Sequence, residues 1–176
     1  MKDLYLLDPE ITFLNHGSFG ACPKPVFEEY QRWQHKLEQQ PVEFMARDIY
    51  DYLKEARDSL GKFVGCSGDD LVYVTNPTTA VNTIIRSLDF GPGDEILTTD
   101  QEYGALIRTW NQYADKRGFK LVEHVTQFPM TTHEDFVNKF WSDVNEKTKV
   151  IFISQITSAT GVILPAEEIC RRAKAE

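Results

Sequence analysis

Three short stretches of the chain collect side chains suited to a phosphorylated, planar molecule. In Thr75-Asn76-Pro77-Thr78-Thr79-Ala80-Val81-Asn82, two hydroxyls fall where a β-rich run gives way to a helix. Free backbone N–H groups point outward at such a place, and the helix dipole adds partial positive charge, so it suits a phosphate. A plain helix cap by Thr78 or Thr79 explains the same residues. In Thr99-Asp100-Gln101-Glu102-Tyr103-Gly104-Ala105, an aromatic residue stands at a strand-to-helix corner. Tyr103 could lie flat on a ligand ring, or pack on its neighbours. Ser154-Gln155-Ile156-Thr157-Ser158-Ala159-Thr160-Gly161 crowds hydroxyls into one loop. Turn chemistry accounts for that cluster as readily as ligand binding does. Neither Gly-x4-Gly-Lys nor Gly-x-Gly-x-x-Gly is present, so a Walker loop and a dinucleotide fingerprint are excluded.

The elements that must position these stretches follow from periodicity. Residues 11–25 read as an ordered loop rich in Gly, Asn, Ser and Pro. A helix is expected from Val26, with Val26, Tyr30, Trp33 and Leu37 on one face, interrupted by Pro41. A second is expected over 42–64, with Met45, Ile49, Leu53, Ala56, Leu60 and Phe63 facing inward and Gly65 as its stop. Strands are expected at 71–75, 95–99, 119–125 and 149–154. Helices between them are expected at 80–88, at 103–117 with Leu106, Trp110 and Tyr113 inward, and after Thr132. The last pairs Thr132 with Asp135 as a capping box and buries Phe136, Phe140 and Val144. A final helix opens at Pro165. Alternating strand and helix argues α/β, a three-layer α/β/α arrangement around a mainly parallel sheet. Such sheets bind ligands beyond the carboxyl ends of their strands, where all three stretches lie.

Composition narrows the function classes. The 176 residues carry 19 Lys+Arg against 27 Asp+Glu, a formal charge of -8, and no basic stripe, so nucleic-acid binding is not expected. No apolar run reaches membrane-spanning length, and the opening nine residues are too short in apolar character for a signal peptide. Cys22, Cys66 and Cys170 are odd in number and widely spaced, as for reduced cytoplasmic thiols. No cation or base beside Cys22 marks it as a nucleophile, and His124 and His133 lack the spacing of metal ligands, so no metal is expected.

Pyridoxal 5′-phosphate (PLP) is a flat ring with a phosphate arm, and the order and spacing of these motifs resemble the class V aminotransferases. These are fold-type I PLP enzymes, and the resemblance is to their isopenicillin N epimerase-like branch. Phe13-Leu14-Asn15-His16-Gly17-Ser18-Phe19-Gly20 is similar to that branch's N-terminal loop. The 75–82 stretch resembles the family's phosphate-binding turn, which implies that Thr78 and Thr79 hold the cofactor phosphate. Glu102-Tyr103-Gly104-Ala105 resembles the Glu-His-x-Ala segment whose ring stacks on the pyridine, with Tyr103 in the His position. Thr157-Ser158-Ala159-Thr160-Gly161 resembles Asn-Asn-Glu-x-Gly, which implies a contact of Thr157 or Ser158 with the cofactor's phenolic oxygen. Arg47 is a candidate for a substrate carboxylate, across a dimer interface, or else a surface arginine. Asn15 and His16 are candidates for the substrate mouth, or else a simple turn.

The resemblance implies an enzyme acting on an amino acid, of epimerase, C–S lyase or desulfurase type, and a cytoplasmic homodimer when complete. It also requires an Asp on a further strand and a Schiff-base Lys. No lysine here has that context: His35-Lys36 copies a family dipeptide but lies on an amphipathic helix, where a solvated polar face is expected. The expectation is therefore an N-terminal fragment without a catalytic residue of its own: residues 1–65 as an N-terminal loop and helices, and 66–176 as the first part of a PLP-binding large domain, truncated after its fourth strand. Strands 119–125, 95–99 and 149–154 would lie side by side in that order, with 71–75 apart at the far edge. The alternatives are a non-catalytic half-domain or interaction fragment, and an unrelated sugar-phosphate binder.

Overall fold

The computed structural model describes residues 2–176, which divide into two compact units, the first ending at Tyr73 and the second running Val74–Glu176.

In the first unit, an isolated antiparallel bridge joins Tyr5 to Pro23, where the opening loop ends. Helix α1 is Lys24–Gln39, with a proline in its first turn. Pro41 does not merely break the chain: it starts the short α2, Pro41–Glu43, which continues through a π-helical turn, Phe44–Asp48, into α3, Ile49–Val64. Gly65 closes α3 in the left-handed conformation, φ 82°. What holds these helices together is an aromatic cluster around Trp33, a member of the face expected for α1, while Val26 and Tyr30 of that face are exposed. Trp33 meets Tyr52 at 4.8 Å and Phe44 at 6.2 Å between ring centroids. The Lys36 ammonium sits 4.2 Å from the Tyr52 ring centre and donates to its hydroxyl at 2.7 Å. Lys36 is therefore part of a cation–π cluster, not of a solvated face. Met45, Leu53, Leu60 and Phe63 are exposed instead, because no element of this unit packs over them. Gly61 has a steric reason: a Cβ there would lie 2.7 Å from the Cys66 carbonyl oxygen.

The second unit is α/β. Its elements are α4 (Pro77–Ser87), β1 (Glu95–Thr99), α5 (Gly104–Arg117), β2 (Lys120–His124), α6 (His133–Trp141), β3 (Thr148–Ile151) and α7 (Ala166–Ala173). The three strands form a parallel sheet in the order β2-β1-β3, the order expected for these segments. Successive residues of a strand point to opposite faces, and β1 shows it. Ile96 packs with Ile85, Phe90, Trp110 and Phe119, under α4 and α5. Leu97 packs with Phe136, Val137, Phe140, Trp141, Leu164 and Ile169, under α6 and α7. The sheet is thus the middle of three layers, and β1, with four of its five residues buried, is its centre. Thr132 caps α6 as expected, its hydroxyl accepting the Asp135 N–H at 3.0 Å. Val144 lies beyond the end of that helix and is only partly buried. Gly118 ends α5 at φ 81°, which a side chain would strain, with the Pro92 ring against it.

Residues 71–75 depart from expectation. They form no ladder, Thr75 is a bend, and Val72, Tyr73 and Val74 are exposed. A strand exists only through its neighbours' hydrogen bonds, and 71–75 forms no ladder with any described strand.

Candidate functional site

The first of the three stretches is built by α4. Asn76 is its N-cap: the Oδ1 atom accepts the Thr79 N–H at 2.8 Å and the Thr79 hydroxyl at 3.1 Å. Thr75 and Thr79 hydroxyls are 3.1 Å apart. Pro77 has no N–H, and the Thr78 N–H has no acceptor among the described residues. Asn82, one turn on, donates to the Thr78 carbonyl at 2.9 Å. An open groove of about 270 Å³ runs from this terminus along Thr78, Thr79, Asn82, Thr83 and Arg86.

The level of this terminus relative to Tyr103 follows from two hydrogen bonds. Asn82 reaches Thr109 at 3.5 Å, and Arg86 reaches the Tyr113 hydroxyl at 2.6 Å. Both pairs are separated by 27 residues, so α4 and α5 run parallel and in step. Their N-termini therefore open at the same end of the unit, beyond the carboxyl end of β1. Arg117 locks the other end, donating to the carbonyls of Ile85 and Leu88 at 3.1 and 2.9 Å.

Tyr103 is the residue immediately before α5, and its ring is 51% exposed. The corner that carries it is tightly tied. The buried Glu102 carboxylate accepts the Thr99 hydroxyl at 3.1 Å, the Ser154 N–H at 2.9 Å and the Ser154 hydroxyl. Gln101 receives the Thr160 hydroxyl at 3.4 Å. Asp100 joins the ends of β1 and β2, accepting the Thr126 N–H at 3.0 Å while its own N–H donates to the His124 carbonyl. Partial burial would push the Asp100 carboxyl up, but hydrogen bonds led by the Thr126 N–H outweigh that and hold it below the usual carboxylate range.

In the third stretch, Thr157 is buried and its hydroxyl is spent inside the turn, 2.7 Å from Thr160 Oγ1 and accepting the Val162 N–H at 2.9 Å. Ser158 next to it is exposed. The second unit therefore brings together Thr78, Thr79, Tyr103 and Ser158 at one end of its sheet.

The remaining candidates lie in the first unit. Asn15 accepts the Ser18 N–H at 3.2 Å, closing a turn. His16 lies between the Tyr5 and Phe13 rings, at 5.5 and 4.7 Å. Arg47 projects from the π-helical turn, 75% exposed, and pairs with Glu43 at 3.3 Å.

The donor set fits a phosphate. An oxyanion taking the place of Asn76 Oδ1 would gain the Thr79 N–H and hydroxyl, with the free Thr78 N–H and the helix dipole beside them. The larger concavity, about 670 Å³, is elsewhere: it follows the open side of β3, lined by Trp141, Val150, Ile151 and Ile169. Cys170, Lys149, Lys174 and Glu176 also line it, but no hydrogen bond among the described residues joins the Cys170 thiol to a base, and the concavity follows an unpaired sheet edge.

The aminotransferase class-V family model matches residues 20–176. The chain belongs to this family. Isopenicillin N epimerase of Streptomyces clavuligerus is 33% identical over 171 residues, covering 97% of this chain and 43% of that protein. The probable chloroplastic L-cysteine desulfhydrase of Arabidopsis thaliana is 25% identical over 182 residues, covering 94% of this chain and 38% of that protein. Among solved structures, a variant of C-DES with glycine covalently linked to its PLP cofactor superposes with a TM-score of 0.81 at 21% identity. That match covers 96% of this chain and 44% of the other. The chain thus spans less than half the length of each, and the fold of its described part is that of the C-DES structure.

Glu102 is the site residue whose role sequence reasoning missed. It stood there only as one letter of a motif, because its partner Ser154 lies 52 residues away.

Proposed function

We propose that this chain is the N-terminal part of a PLP-dependent enzyme acting on an amino acid, and that it supplies the phosphate cup and the ring plate. The observation that carries the reading is the parallel, in-step pairing of α4 and α5, which opens the Thr78/Thr79 donors and the Tyr103 ring at one end of the sheet. Family membership and the relatives named above support it, and they favour epimerase or C–S lyase chemistry.

In this reading Thr79 and the Thr78 N–H hold the phosphate, releasing Asn76 Oδ1. Tyr103 offers its exposed face to the pyridine, where stacking fixes the ring plane. Ser158 is the free hydroxyl beside the ring edge, and Thr157 shapes the turn that presents it. When bound, PLP supplies an electron sink for negative charge at the substrate Cα. The residues of this chain bind and orient; none is assigned to move the substrate proton. Asn15, His16 and Arg47 stand as substrate-side candidates on their exposure alone. The division into 1–65 and 66–176, and a cytoplasmic homodimer, belong to the same reading.

The test is equilibrium dialysis of PLP against the full-length protein that carries this segment. Saturable binding at one site per chain is expected, weakened by Thr79→Ala. A full-length protein that does not retain PLP would overturn the proposal.

A further inference from the structure

We propose that the Glu102 carboxylate is a positioning group that sets the Tyr103 ring against the loop carrying Ser158. This rests on the reading of Tyr103 as the ring plate. Glu102 is 7% exposed, and both its oxygens are engaged: Oε1 accepts the Thr99 hydroxyl and the Ser154 N–H, and Oε2 accepts the Ser154 hydroxyl. Its partners are neutral donors, with no cation within ion-pair distance among the described residues. A carboxylate buried in this way is satisfied only while all these donors stay in place, so it fixes them relative to one another. With both oxygens engaged, the group cannot rotate without breaking a bond.

The consequence falls on the next residue. The Tyr103 ring meets no other aromatic ring among the described residues and is half exposed, so its placement leans on the backbone that carries it. On one side that backbone is joined to the Glu102 clasp. On the other its carbonyl accepts the Leu106 and Ile107 N–H groups at 2.8 and 3.2 Å, in the first turn of α5. The Thr160–Gln101 contact at 3.4 Å ties the same corner to the far end of the 154–161 loop. One carboxylate thereby sets the spacing between a ring on one strand end and hydroxyls on the next.

The experiment uses the full-length protein, PLP as the probe, and the variants Glu102→Ala, Glu102→Gln and Ser154→Ala. Two readouts separate positioning from mere stability: the visible circular dichroism induced in bound PLP, which reports how the ring is held, and amide hydrogen exchange without PLP. For Glu102→Ala, exchange at Ser154 and at residues 103–107 should accelerate together by about tenfold or more, the equivalent of one lost buried hydrogen bond. The induced signal per bound PLP should fall. Glu102→Gln keeps an acceptor oxygen and gains an N–H that Ser154 Oγ can accept, so it should rescue most of the signal. Ser154→Ala removes one of the three donors and should shift the signal in the same direction, and it serves where Glu102→Ala does not fold. An unchanged signal in Glu102→Ala or Ser154→Ala, while wild type binds PLP, would overturn this inference alone. A wild-type protein that binds no PLP would overturn the proposed function and this inference with it.

Discussion

Thr79→Ala removes one hydroxyl from the N-terminus of α4, and the structure fixes what that hydroxyl does before any phosphate arrives. It donates to Asn76 Oδ1 at 3.1 Å and shares a 3.1 Å contact with Thr75 Oγ1. Binding therefore exchanges a neutral hydrogen bond for a charged one. A neutral bond is worth about 0.5–1.5 kcal/mol and one to a charged group about 1.5–3 kcal/mol. The difference, about 1–1.5 kcal/mol, is what alanine loses, a roughly 5- to 13-fold weaker Kd for PLP. The Thr79 backbone N–H still donates to whichever acceptor is present, so binding is weakened rather than abolished. Thr79→Ser keeps the hydroxyl and should stay within about threefold of wild type, the remaining loss reflecting the freer side chain. Thr12→Ala, in the opening loop, is the control. Equilibrium dialysis of PLP against the full-length variants measures all three. Equal affinities for wild type and Thr79→Ala would show that the hydroxyl only braces the Asn76 cap, and the phosphate assignment would fall.

Three further outcomes are expected. Tyr103→Phe should preserve PLP affinity while Tyr103→Ala weakens it by about 0.5–1.5 kcal/mol, since the stacking face carries the contact; dissociation constants check it, and a Phe variant as weak as Ala would assign the role to the phenol oxygen. Asp100 has its folded pKa below the ordinary 3.8, so its stabilisation is fully present above that value and is lost as pH falls through the folded pKa. Asp100→Asn should therefore flatten the acid limb of the stability curve below about pH 4, measured by urea midpoints between pH 3 and 7; parallel curves for variant and wild type would refute the coupling. The 176-residue chain by itself should self-associate, because β3 is an edge strand and Leu14, Phe19 and Phe63 are 85%, 87% and 87% exposed. A monodisperse monomer in sedimentation velocity, with 71–75 strongly protected from exchange, would show the opposite.

Much of the second unit was legible because its signals are local. Asp135 follows Thr132 at the spacing of a capping box, Gly118 stands one residue past a helical stripe, and 95–99 is a β-rich run after a Gly-Pro-Gly-Asp turn. Each depends on backbone preferences within a few residues, and each formed as read. The hydroxyls of Thr78 and Thr79 were legible as a helix start for the same reason. Their engagement by Asn76 makes phosphate binding an exchange, and an N-cap asparagine is itself a local signal.

Where the outcome depended on neighbours distant in sequence, local pattern could not decide. Residues 71–75 have the composition of a strand, but a ladder needs a partner, and they form none with the described strands. Met45 and Phe63 follow a helical period, which determines that they share a face and says nothing of what covers it. Lys36 found Trp33 on its own helix and Tyr52 on another. The sequence by itself determined the helices, their caps, the α/β alternation and the three candidate loops. Tertiary structure alone decided that α4 and α5 run in step, that Thr157 is consumed by its turn, and that Glu102 joins residues 52 apart. The reason is physical: a cap is formed by atoms the chain holds within a turn of each other, whereas a buried carboxylate is satisfied only by donors that the whole packed unit delivers to it.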